Sequence, residues 1–135
     1  MKLDYAVMAE NAFFSDSKKL NIINIFDVFI WKKKESSSPD TDVFPPLPSF
    51  SIAGKILGAG TKELLVEILS PTDPLGESPL QVNKISSGDR TKEDLNFTIN
   101  VPNLVVKEPG DYFVRVRNEK SGEQTDIKKI FSVRF

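Results

Sequence analysis

The longest apolar run in the chain, Leu20-Asn21-Ile22-Ile23-Asn24-Ile25-Phe26-Asp27-Val28-Phe29-Ile30-Trp31, is dominated by β-branched and aromatic residues. Such side chains lose rotamer freedom in a helix and pack well on a pleated surface, and neither flank carries a capping signal, so the run reads as extended. One face would hold Leu20, Ile22, Asn24, Phe26, Val28 and Ile30, and the other Asn21, Ile23, Ile25, Asp27, Phe29 and Trp31. Both faces are mostly apolar, which a strand with one wet face would not be. The sequence therefore predicts a long strand central to the fold and covered on most of both faces. Three arrangements would satisfy it: a bulge near Asn24 that switches the inward face, a strand that passes from one sheet to another, or a second subunit over the second face. In the last case Phe29 and Trp31 are interface residues. Lys32, Lys33 and Lys34 follow directly and guard the end of a sticky strand.

The rest of the chain alternates with period two. Leu3 to Val7 reads as a first strand; the stretch Glu10 to Lys18 follows, its Ser15-Asp16-Ser17-Lys18 end a turn signal, with Phe13 and Phe14 capping one end of the core. Residues 32–48, rich in Lys, Ser and Pro, form a long surface or disordered loop, since Pro45, Pro46 and Pro48 exclude regular structure there. Phe50 to Leu57 and Leu64 to Leu69 alternate around Gly58-Ala59-Gly60-Thr61 and read as a hairpin. A proline-rich loop over 70–79 leads to a weak strand at Leu80 to Ile85. Leu95, Phe97, Ile99 and Val101 then alternate with polar residues in the clearest half-buried strand. Near the end, Tyr112, Val114 and Val116 oppose Phe113, Arg115 and Arg117, and Phe131, Val133 and Phe135 oppose Ile130, Ser132 and Arg134. About eight short strands without helical periodicity define the expected class. It is all-β: a single antiparallel β-sandwich spanning residues 1–135. Pro109-Gly110-Asp111-Tyr112 resembles a tyrosine corner, which makes the expected sandwich immunoglobulin-like.

Composition removes most chemistries. With no cysteine and no histidine in 135 residues, the chain cannot build a thiolate nucleophile, a disulfide, a Ser-His-Asp triad or a Cys/His zinc site. A formal net charge of −1 gives no cause to expect nucleic acid or an anionic membrane as a partner. Asp4 near the start and the lack of an apolar segment behind it do not fit a signal peptide, and no run reaches membrane-spanning length, so a cytoplasmic protein is expected. The loop aspartates Asp40, Asp42, Asp73 and Asp89 lack a calcium-loop spacing, so neither a metal nor a cofactor is expected. A carboxylate-based hydrolase needs two acids flanking a cleft, and no spacing here signals one.

Two further observations bear on partners. Should the last two strands form a hairpin, Phe113, Arg115, Arg117 and Arg134 share a face with Ile130, giving a mixed apolar and basic stripe of the kind found at interfaces. The plainer alternative is a solvated face with acidic partners nearby. The candidate interaction residues are thus Phe29, Trp31, Phe113, Arg115, Arg117 and Arg134. A non-enzymatic protein-interaction or assembly module, acting on a protein partner or on itself, is the leading expectation. The alternative is a carbohydrate-binding sandwich that stacks sugars on Trp31, Phe44 or Tyr112.

Tyr5-Ala6, then Leu20-Asn21-Ile22-Ile23 with Ile25-Phe26-Asp27, and finally Pro109-Gly110-Asp111-Tyr112 carry a resemblance. In these stretches the chain resembles a family of small, mostly bacterial proteins known as a domain of unknown function. Members of that family often have Gly where this chain has Asn24, and Asp-Gly where it has Arg117-Asn118. The resemblance covers both ends of the chain and only the strand pattern of its middle third. It implies an immunoglobulin-like sandwich and brings no activity, ligand or site residue.

Overall fold

The computed structural model describes residues 1–30, 46–59, 63–73, 75–86 and 94–134. Nine strands lie within them: β1 (Lys2–Phe14), β2 (Leu20–Ile25), β3 (Val28–Ile30), β4 (Phe50–Leu57), β5 (Glu63–Leu69), β6 (Gln81–Ser86), β7 (Leu95–Val101), β8 (Gly110–Asn118) and β9 (Lys128–Arg134). The described residues contain no helix, and therefore none long and apolar enough to cross a membrane. The strands form two sheets, a four-stranded one ordered β2-β1-β4-β7 and a five-stranded one ordered β3-β9-β8-β5-β6. Every pair is antiparallel except β3 with β9, so the second sheet is mixed rather than purely antiparallel.

One apolar core lies between the sheets. Ile52 and Ile56 of β4 and Phe97 and Ile99 of β7 meet Leu64, Val66 and Ile68 of β5 and Tyr112, Val114 and Val116 of β8. Each set is a period-two series, which is why alternation located these strands. The β4–β7 pair is closed over Gly54, whose missing side chain makes room for the Phe97 ring opposite. A Cβ on Gly54 would stand 2.6 Å from the ring's Cζ and 2.6 Å from the Tyr5 carbonyl oxygen.

Several expectations change. The first strand is 13 residues long and reaches Phe14. Phe13 and Phe14 do not cap the core, since each remains 43% exposed on the β1–β2 hairpin. β4 and β5 are not a hairpin, for they belong to different sheets. Alternation fixes which face of a strand is buried but not which neighbour it pairs with.

The largest change concerns the run from Leu20. It is not one central strand covered on both faces but two strands, each at the edge of a different sheet. Passage between sheets, one of the three expected arrangements, is the one observed. Asn24 sits in the left-handed region with φ of 56°, and its amide donates to the Glu10 carboxylate at 2.9 Å. The Phe26 N–H then donates to the Met8 carbonyl in the first sheet at 3.0 Å. The next residue, Asp27, accepts from the Ser132 N–H in the second sheet at 2.8 Å. The chain thus changes sheets between two consecutive residues. Phe29 holds the crossover down, its ring lying 5.2 Å from Phe26, 5.7 Å from Phe50 of the first sheet and 5.5 Å from Phe131 of the second.

Candidate interaction surface

The expected arginine stripe sits on paired strands, because β8 and β9 do form an antiparallel pair. The side chains, however, part company. A register shift between Tyr112 and Phe113 places a bulge against β9, and Ile130 turns into the core beside Phe131 rather than joining the arginines. Arg115 is buried at 5% exposure, directly across from Glu67 of β5, which is itself at 1%. Its Nη2 donates to both Glu67 oxygens at 3.2 Å and to the Gly76 carbonyl at 3.1 Å, while Nη1 donates to the Leu75 carbonyl at 3.0 Å. Arg117 donates from Nε to Glu67 at 2.9 Å and is only partly exposed. One carboxylate therefore engages two guanidinium groups, and Arg115 fastens the 70–80 loop over the outer face of the second sheet. The packing does not free these charges for a partner. Phe113 is half-buried, Arg134 is exposed beside Ile30 in the β3–β9 register, and Trp31 lies outside the described residues.

Tyr112 is fully buried. Its hydroxyl donates to the Glu108 carbonyl at 2.6 Å, four residues back, the bond expected of a tyrosine corner. A ring in that position cannot stack on a sugar. Phe44, like Trp31, lies outside the described residues.

Exposed apolar area collects elsewhere. Ten large hydrophobic residues are exposed among those described, and six of them, Phe13, Phe14, Ile23, Ile25, Val28 and Ile30, fall in β1 to β3. Ile25 is 62% and Ile30 71% exposed, values unlike those of a core strand. Register places Ile25 opposite Ala9, and Ala9 opposite Ser51, on the face of the first sheet turned away from the core residue Ile52. Asn11 opposes Ile23, and Phe13 is diagonal to it on the same face. Neither β2 nor β3 carries a charged side chain within its span. Beside them, between β1 and β9, Met8, Ile25, Phe26 and Ile130 line a groove of about 430 Å³ whose rim holds Asp27 and Lys129.

Sequence reading missed Ile23, Ile25, Val28 and Ile30 as surface residues because it assigned them to the core. The available signal was the polar interruption by Asn21, Asn24 and Asp27, which breaks the run at intervals no buried central strand would tolerate unpaired. Among the described residues no group of three or more Asp or Glu side chains is placed to hold a metal ion. No family model, no curated protein and no solved structure matches the chain.

Proposed function

We propose that this chain is a non-enzymatic protein-interaction or assembly module of the cytoplasm, built as a single immunoglobulin-like sandwich and acting through the β1–β3 surface. The observation that carries the reading is the concentration of exposed apolar side chains, Ile23, Ile25, Val28 and Ile30, on two uncharged edge strands, with exposed Phe13 beside them on β1. An edge strand offers unpaired backbone donors and acceptors, and natural proteins usually blunt such an edge with charge, proline or a cover. An edge left apolar suits strand addition, in which main-chain bonds supply affinity and alternate side chains supply selectivity. The immunoglobulin-like architecture is supported by the Tyr112 bond to Glu108, by the parallel β3–β9 pair formed where one segment changes sheets, and by the resemblance at both ends of the chain. The lack of cysteine suits a reducing compartment.

Photo-crosslinking in cells tests the reading. A benzophenone side chain introduced at Ile25 or Ile30 is expected to give discrete protein adducts. The same group at Asp126, exposed in the turn before β9, is expected to give none. Adducts at all three positions alike, or at none, would overturn the proposal.

A further inference from the structure

We infer that the partner on the β2 edge is a second copy of this chain, joined antiparallel through β2 so that the two four-stranded sheets become one; this rests on the interaction surface proposed above. Three observations point to the second copy. First, β2 ends its sheet, and no described strand pairs with its outer side. Second, the strand is uncharged, so no like charges face each other when it meets itself.

Third, charge at its two ends is of opposite sign. Lys18 and Lys19 precede β2 and are exposed; Asp27 follows it and is exposed, and Glu10 stands beside Asn24 near the same end. A two-fold axis perpendicular to the sheet makes an isologous contact, in which each residue meets one on the same face of its partner. An axis at Ile22 or Ile23 then brings the lysines of one copy alongside the Asp27 end of the other, twice. A parallel contact would instead set lysine against lysine. On the face turned from the core, Phe13, Ile23 and Ile25 of both copies would form one continuous apolar band. The joined sheet would hold eight strands, twice the four of one copy, within the range of open sheets.

Sedimentation velocity over a range of protein concentrations decides the matter. The wild-type chain is expected to show a concentration-dependent dimer. Ile23→Lys is expected to be a folded monomer, its fold checked by far-UV circular dichroism. Lys19→Glu should weaken the dimer roughly tenfold, since two symmetric contacts become repulsive together. Combining Lys19→Glu with Asp27→Lys should restore it, which a merely sticky strand would not do. A monomeric wild type, a dimer indifferent to Ile23→Lys, or a charge exchange that fails to restore pairing each overturns the inference. A monomer that still gives crosslinks at Ile25 to a different protein removes the second copy and leaves the interaction surface standing.

Discussion

Tyr112 shows how one side chain can carry both a structural bond and a pH dependence. Its hydroxyl is sealed in the core, so the phenolate would be stranded without water. Burial first, and the nearby Glu108 charge second, push its pKa from 10.0 up to about 12, against the pull of the bond to the Glu108 backbone. In the unfolded chain the phenol ionises near its ordinary value of about 10. The folded state thus holds its proton over a window in which the unfolded state releases it. The stability is fully present below about pH 10 and is lost as pH rises toward 12, by roughly 2–3 kcal/mol in all. Tyr112→Phe is expected to cost about 1–2 kcal/mol at neutral pH through the lost hydrogen bond. It should also flatten the alkaline decline. Urea denaturation of both proteins at neutral pH and at several values between pH 9 and 12 checks this, and a variant that declines as steeply as wild type would refute the assignment.

Among the elements, the β5–β8 pair and the 70–80 loop act together. Glu67 and Arg115 face each other across the pair, and Arg115 also holds the carbonyls of Leu75 and Gly76. The guanidinium packs so closely against Gly76 that an added Cβ there would stand 2.4 Å from Nη1. The loop is drawn tighter by Asp73, whose carboxylate accepts from the N–H groups of Glu77 and Ser78 at 3.0 and 2.9 Å. Burying an ion pair costs desolvation of both partners, and removing one partner strands the other. Glu67→Leu alone is therefore expected to destabilise by about 3–5 kcal/mol, since it leaves Arg115 buried without its carboxylate. Adding Arg115→Leu should recover part of that loss while releasing the loop. A double-mutant cycle by chemical denaturation, with hydrogen exchange over residues 75–80, measures both effects. Additive losses would show that the two side chains act independently.

For the whole molecule, the strand pattern was legible wherever one face is wet and the other dry. β7 is the clearest case, with Leu95, Phe97, Ile99 and Val101 inward. The tyrosine corner was legible because proline, glycine and tyrosine fix a local geometry. Pairing was not, because partners far apart in sequence leave no mark on either strand, and so β4 and β5 were joined when they lie in separate sheets. The 20–31 run misled for a more specific reason. Continuous apolarity signals burial on two faces, yet here it serves two edge strands divided at Phe26 and Asp27, just after Asn24, where the left-handed backbone suits Asn or Gly. In the candidate site, sequence named Phe29 and placed it at a surface, whereas its ring joins Phe50 of one sheet to Phe131 of the other while Val28 and Ile30 on either side face outward. That geometry predicts what losing the ring would do. Phe29→Ala should cost about 2–4 kcal/mol, at or below the usual loss for a fully buried ring, because Phe29 is not completely covered. The damage should be uneven. The Ser132 amide, bonded to Asp27 at the crossover, should exchange faster, while amides of β5 that pair with β6 and β8 keep their protection. Uniform loss of protection across both sheets would mean that Phe29 supports the core as a whole; selective loss at β3 and the facing part of β9 would identify it as the clamp that holds the crossing segment to both sheets.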